Sequence, residues 1–250
     1  MKEVSPYTKL AEIYDVVMSY IDYEVWVEYL HVLCLSHDKQ PGRTLDISCG
    51  TGNSVPYLQS WCGELYCMDL NTTMIQQLVR KHVEMRGRAW VGDMSALPVK
   101  TPFDLIINLQ DSVNYYLDPD EITLHLGEIY PFLSQNGAYI FDFSTADNIR
   151  NNFIDLHEIY EDDDYGYERV NTFHMRKHLN ETEFFIWELV GGEKRTYKET
   201  HLQRMYTEEE IEACLQESPF GRWYMYEDET LHPPTGETER VHVVTFPGEV

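Results

Sequence analysis

The stretch Thr44-Leu45-Asp46-Ile47-Ser48-Cys49-Gly50-Thr51-Gly52-Asn53 decides how the rest of this 250-residue chain is read. Apolar residues lead into an acid, a run of small residues follows, and a helical pattern comes next. A strand that ends in a tight, small-residue turn lets the backbone approach a bound nucleoside closely. The helix N-terminus behind it adds free N–H groups and partial positive charge. A lone turn of this kind also serves merely to turn a corner, so the spacing beyond it carries weight. A second apolar run ends at Met68-Asp69-Leu70, 23 residues past Asp46. An acid about 20 residues on suits the hydroxyls of a ribose. Val91-Gly92-Asp93-Met94 comes 24 residues later, and Phe103 to Leu109 forms a fourth strand. Two phosphate-binding readings fit less well. A dinucleotide fingerprint needs G-x-G-x-x-G, and only Gly50 and Gly52 stand in the turn; a Walker loop needs Lys where this chain has Asn53.

Outward from this stretch the pattern alternates. The first 35 residues read as helix, with Leu10, Ile13, Val16, Val17 and Tyr20 on one face and Trp26, Tyr29, Leu30 and Leu33 continuing it. Pro41-Gly42 breaks to strand 1. Asn71 can cap a helix carrying Met74, Ile75 and Leu78. Strand 3 is Ala89 to Val91. Asp118-Pro119-Asp120-Glu121 starts another helix, and Asn136-Gly137 turns into strand 5, Ala138 to Phe143. Strands alternating with helices at this spacing imply a parallel sheet covered on both faces. After Ser144 the pattern changes. Residues 146–205 are rich in charge and aromatics and alternate as strands do, with Gly191-Gly192 as a hairpin turn. Thr207-Glu208-Glu209-Glu210 then opens a helix over Ile211 to Gln216. Trp223 to Tyr226 and Val241 to Phe246 supply the last two strands.

Composition excludes some classes of function. The formal charge is −24, from 43 acids against 19 bases. Polyphosphate binding relies on Lys and Arg to release counterions, so a nucleic-acid partner is disfavoured, whereas cationic molecules such as amines are attracted. No apolar run approaches the roughly 18 residues that span a bilayer, and the N-terminus lacks a signal-peptide core, so a cytoplasmic protein with no membrane partner is expected. Five cysteines without a C-x-x-C pair read as free thiols, and no metal-ligand pattern is present. The acidic run Glu161 to Asp164 reads as a solvated loop.

LDISCGTGN together with Asp69 and the pair Asp93-Met94 resembles the S-adenosylmethionine site of class I methyltransferases. Ser48 stands where the usual turn of that family has Gly. The stretches YDVVMSYIDYEVW (14–26), LQDSVNYYLD (109–118), HLQRMYTEEEI (201–211) and ETERVHVV (237–244) are similar to bacterial methyltransferases that act on small molecules. The resemblance covers most of the chain. It implies an α/β fold with a Rossmann-like, mostly parallel seven-stranded sheet, helices on both faces and an inserted antiparallel β lid. Residues 1–145 and 206–250 would form the cofactor-binding core with an N-terminal helical cap, and 146–205 the lid. The implied cofactor is S-adenosyl-L-methionine, held by Tyr14, Asp46, Ser48, Cys49, Gly50, Gly52, Asn53, Asp69, Leu70, Met74, Asp93, Met94, Leu109 and Asp111. Within that set Asp69 would hold the ribose hydroxyls and Asp93 the adenine amino group. The backbone of Met94 would meet the adenine ring, and Gly50 and Leu109 the methionine part.

Methyl transfer from a sulfonium needs positioning more than acid–base work, and a base only where the acceptor arrives protonated. Tyr14 and His201 are the catalytic candidates. Asn114, Tyr115, Trp187 and Arg204 are the candidates for binding the acceptor, with Arg204 suited to a carboxylate or phosphate, and Phe184, Trp187 and Tyr197 suggest a partly aromatic pocket. A small-molecule acceptor, methylated at an amine nitrogen, is the leading expectation. A protein or peptide methyltransferase, and a non-catalytic cofactor-binding regulator, are the competing readings. The oligomeric state is not written in the sequence.

Overall fold

The computed structural model describes residues 1–93 and 101–248. Its main sheet has seven strands in the order β11-β12-β6-β5-β2-β3-β4. These are β2 (Arg43–Asp46), β3 (Glu64–Asp69), β4 (Ala89–Val91), β5 (Phe103–Asn108), β6 (Leu133–Ser144), β11 (Phe220–Glu227) and β12 (Arg240–Pro247). β12 runs antiparallel to both neighbours, and every other pairing is parallel. Succession runs from β2 toward β3 and β4 on one side and passes to β5 on the other. The switch point therefore lies between β2 and β5, where open α/β sheets leave a crevice.

Helices cover both faces because alternate strand residues are apolar on both sides. Leu105, Ile107, Ala138, Ile140 and Val244 pack with α2 (Tyr23–Ser36), α3 (Val55–Leu58) and α4 (Thr72–Lys81). Phe103, Ile106, Tyr139, Phe141, Phe143 and Val243 pack with α5 (Pro119–Ile129) and α7 (Glu208–Glu217). The helix starts read from sequence are present. Asn71 accepts from Thr73 N and Met74 N, and capping boxes close at Asp118/Glu121 and Thr207/Glu210.

The N-terminal region departs from the expected single helix. A short strand, β1 (Lys2–Glu3), precedes α1 (Leu10–Val17), and the chain breaks before α2. Asp22 causes the break: its side chain accepts from Val25 N and so caps α2.

Residues beyond Ser144 form a second sheet. After α6 (Ala146–Asn148) and a π-helical turn (Ile149–Phe153) come β7 (His157–Glu161), β8 (Tyr165–His174), β9 (Leu179–Val190) and β10 (Glu193–Arg204). They pair antiparallel in succession, and Gly191 and Gly192 turn β9 into β10 at φ +62° and +84°. β1 adds a parallel fifth strand beside β10, a partner the sequence reading did not foresee. Glu161 to Asp164 form the exposed β7–β8 turn. Leu10, Tyr14 and Val17 of α1 pack on Tyr167, Phe184 and Ile186 of this sheet, so α1 lies between the lid and the core. All five cysteines are free, and among the described residues no helix is long and apolar enough to cross a membrane.

Candidate active site

The turn after β2 is built by side chains that bind it inward. Ser48 N donates to Asp46 Oδ1 at 3.1 Å, and Ser54 Oγ reaches Asp46 Oδ2 at 3.4 Å. Burial pushes the Asp46 carboxyl up to about 7. Ser48 Oγ accepts from Leu109 N at 2.9 Å and lies 3.3 Å from Leu109 O. This hydroxyl ties β2 to β5 at the switch point, a contact that a Gly could not make. Gly52 stands at φ +81°, and a Cβ there would meet Leu78 Cγ at 2.7 Å. Asp69, at the end of β3, accepts from Gly50 N at 2.9 Å and Asn71 N at 2.8 Å, one on each oxygen. Each oxygen keeps lone-pair capacity for a further donor such as a diol. Burial raises this carboxyl, with the two N–H groups opposing.

α1 closes over the turn. Tyr14 donates to Gln110 Oε1 at 3.0 Å and lies beside Gly50. Thr51 Oγ1 donates to Asp15 at 2.5 Å, and Lys81 Nζ reaches Asp15 Oδ2 at 2.7 Å and Asn53 Oδ1 at 2.6 Å. After β5, Gln110 and Asp111 both take left-handed backbone conformations, φ +60° and +49°. Two consecutive non-glycine residues there cost energy and persist because their side chains are held. Asp111 accepts from Gln203 Nε2 and Arg240 Nη2, each at 2.9 Å, and Arg240 Nη1 also bonds Asp142. Burial lifts the Asp142 carboxyl to about 6 against the pull of Arg240.

Two cavities meet here. A small one is lined by Tyr14, Asp46, Ser48, Cys49, Gly50 and Asn53, and by Leu109 and Gln110. A larger one, of about 520 Å³, shares Tyr14, Trp26 and Gln110 with it and extends beneath the lid. Cross-strand register fixes what the lid turns inward. One row is Glu158, Arg169, Phe184 and Glu199; the next is Asn171, Thr182 and His201; a third is Phe173, Asn180 and Gln203. Glu199, fully buried, accepts from the first backbone N–H groups of α1, Lys9 at 2.5 Å and Leu10 at 3.1 Å. It also lies 3.3 Å from His201 Nε2. His201 Nδ1 is 2.8 Å from Tyr115 Oη, and Tyr115 Oη is 2.8 Å from Tyr7 Oη. A carboxylate at Nε2 fixes the proton there, so Nδ1 accepts from Tyr115. Desolvation keeps Tyr7, Tyr14 and Tyr115 protonated, their hydroxyls raised well above the usual range.

Most residues singled out from sequence are gathered here. Asp46, Ser48, Cys49, Gly50, Asn53, Leu109 and Tyr14 line the small cavity. Met74 is buried beside Gly50, and Leu70 is exposed next to Asp69. Asp93 follows β4 at the same sheet edge, near enough to His125 to oppose the burial that lowers that imidazole to about 4. Met94 lies outside the described residues. Tyr115, Asp111 and His201 line the large cavity.

Three acceptor candidates are placed elsewhere. The Asn114 amide is spent on Ser144 N and O and on Arg204 O, pinning the lid's return to β6. Arg204 pairs with Glu210 at 2.6 Å. Trp187 falls on the other face of β9 from Phe184, because strand side chains alternate, and packs under Lys194. Tyr197 shares the inner face but donates to Glu188, beyond the cavity lining. Tyr7, Gln110, Arg169, Glu199, Gln203 and Arg240 were missed. The Glu-x-His spacing of Glu199 and His201 on one strand face was the readable signal; the others depend on tertiary placement.

A small cavity at the turn after β2 thus adjoins a larger one beneath the second sheet. The family model described as Methyltransferase domain matches residues 44–137. YqeM of Bacillus subtilis (strain 168), which carries a methyltransferase name, is 25% identical over 239 residues, covering 94% of each chain. The crystal structure of an S-adenosylmethionine-dependent methyltransferase from Clostridium acetobutylicum superposes with TM-score 0.79 at 26% identity, covering 97% of this chain and 99% of that one. The sugar N-methyltransferase KedS8 from a Streptoalloteichus species shares the fold, with TM-score 0.74 at 18% identity over 94% and 93% of the two chains. The chain is a class I S-adenosylmethionine-dependent methyltransferase.

Proposed function

We propose that this enzyme methylates a small polar molecule at an amine nitrogen, in the cavity under the lid. The observation that carries the reading is the lining of that cavity. Asp22, Asp111, Asp228, Glu229 and Glu239 face it against Arg169 and Arg240, and His201 stands in its wall. Among the described residues, five carboxylates against two guanidiniums favour a cationic acceptor. The volume of about 520 Å³ suits a molecule of monosaccharide size better than a protein segment. The name of KedS8 adds an amino sugar to the acceptors worth testing. A cytoplasmic, nucleic-acid-free role for this acidic chain belongs to the same reading.

The donor set fits the cofactor. Asp69 offers free lone pairs to a ribose diol, and the small-residue turn leaves a cavity beside Gly50 for the methionine end. Asp93 stands at the edge where adenine would lie. When bound, S-adenosylmethionine supplies an electrophilic methyl on a sulfonium. Tyr14 and Gln110, shared by both cavities, would flank the line of transfer, and α1 with the lid would exclude water. An amine arriving as ammonium must lose a proton before its lone pair can attack. Tyr115 and Tyr7 line the cavity, and His201 Nδ1 accepts from Tyr115. The proton would pass along these hydroxyls to Nδ1, with Glu199 stabilising the imidazolium formed.

The test is a turnover assay over pooled amines, hydroxylated aromatics and sugars. Products carrying the methyl on nitrogen are expected. Transfer only to oxygen, or only to a protein, would contradict the proposal.

A further inference from the structure

Arg169 differs from every other arginine near the cavity. Arg240 is hydrogen-bonded to Asp111 and Asp142, and Arg204 to Glu210. Arg169 lies against the rings of Phe153 and Phe184, 5.3 and 5.6 Å from their centroids. Its Nε is buried with no hydrogen-bond partner; Arg204 Nε is likewise unpartnered, but the other Arg204 nitrogens are bonded to Leu117 O and Glu210, and Arg204 does not line the cavity. Its carboxylate neighbour is Glu158, 3.9 Å away on a more exposed side chain. A buried guanidinium donor without a partner is costly, and a planar fork held against aromatic rings matches a carboxylate or phosphate. The carboxylates Asp228, Glu229 and Glu239 belong to the β11–β12 end of the core, on a different wall from Arg169 on the lid. The cavity is therefore polarised, anionic toward the core and cationic at one point of the lid.

We propose that Arg169 binds an anionic group, a carboxylate or a phosphate, carried by the methyl acceptor, so that the acceptor bears both an amine and an anion. This rests on the reading of the lidded cavity as the acceptor site. It moves to Arg169 the anion contact that the sequence suggested for Arg204. A single anion is compatible with the chain's acidity, because it meets a guanidinium that is largely shielded from water, its side chain 15% exposed.

The test uses the full chain saturated with S-adenosylhomocysteine. Calorimetry compares three probes of one scaffold: glucosamine, glucosamine 6-phosphate and muramic acid, bearing no anion, a phosphate and a carboxylate. One anionic probe is expected to bind about tenfold or more tighter than glucosamine. Arg169→Met should erase that preference and leave S-adenosylhomocysteine affinity unchanged, which also reports that the variant folds. Arg169→Lys should keep part of the preference. Anionic probes binding no tighter than glucosamine, or a preference that survives Arg169→Met, would overturn the proposal. Methyl transfer to the same three probes, measured separately with S-adenosylmethionine in place of S-adenosylhomocysteine, separates the two readings. Nitrogen methylation without an anionic preference removes only the Arg169 proposal. An Arg169-dependent preference without methyl transfer supports it and removes the amine reading.

Discussion

Asp69, at the end of β3, accepts from two backbone N–H groups and so shapes the turn; under the proposed function it takes the ribose hydroxyls as well. Asp69→Ala should weaken S-adenosylhomocysteine binding by about 10- to 100-fold, the range for lost charge-assisted hydrogen bonds. Calorimetry giving parental affinity would remove Asp69 from the site. Gly52→Ala should cost about 1–3 kcal/mol, read by denaturant unfolding, because the residue sits at φ +81° against Leu78. Buried titratable groups give opposite pH dependences. The carboxyl of Asp46, raised by burial to about 7, holds its proton longer in the folded state. Its ionisation therefore lowers stability as pH rises from about 4 to about 7. His125, lowered by burial to about 4, stays neutral when folded, so its contribution is lost as pH falls from about 6.5 toward 4. Relative to the parent, Asp46→Asn should gain in melting temperature as pH rises from 5 to 8; a gain that shrinks over that range would reverse the assignment. Asp46, Asp69 and Asp93 were legible because an acid closing an apolar run marks a strand end. Gln110, Arg169 and Arg240 carry no such local sign, since their partners lie up to 129 residues away.

The elements around the site work as joined pieces. Glu199 of β10 accepts the first N–H groups of α1, where a carboxylate also meets the positive end of the helix dipole. α1 in turn carries Tyr14 and Asp15 to the turn after β2. The lid, the N-terminal helix and the cofactor turn are thus one mechanical unit. Glu199→Gln should lower turnover while S-adenosylhomocysteine affinity changes little, because the turn itself is held by Asp46, Asp69 and Ser48. His201→Ala should lower kcat by about 100-fold or more, the scale of general-base catalysis, and Tyr115→Phe should shift the pH profile in the same assay. Full activity in the His201 variant would remove it from the mechanism. Alternation after Ser144 made the inserted sheet legible, and capping boxes marked α5 and α7 closely. The break between α1 and α2 was hidden because both carry apolar residues at helical spacing, and Asp22 reads as a cap only once the break is known. β1 was hidden because a two-residue strand has no period.

Over the whole molecule, an acidic chain surrounds a cavity whose carboxylates outnumber its guanidiniums. The cationic acceptor proposed above would be drawn in by that field, so its KM should rise with salt as the screening length falls from about 10 Å at 0.1 M to about 3 Å at 1 M. A KM for the amine that is insensitive to ionic strength would place recognition in local contacts alone. The class of sheet was legible from strand spacing because parallel α/β folds repeat one pattern. The acceptor was not, because the cavity draws its walls from α1, the lid, β6 and the β11–β12 connection, which no local window contains. The most direct measurement incubates the enzyme with S-adenosylmethionine and a pool of small polar amines and follows both products by mass spectrometry. S-adenosylhomocysteine should form in step with an amine that has gained one CH2 on nitrogen, at a rate that rises with pH through the neutral range. S-adenosylhomocysteine formed with the methyl on a hydroxyl, or no transfer to any amine in the pool, would contradict the proposed function.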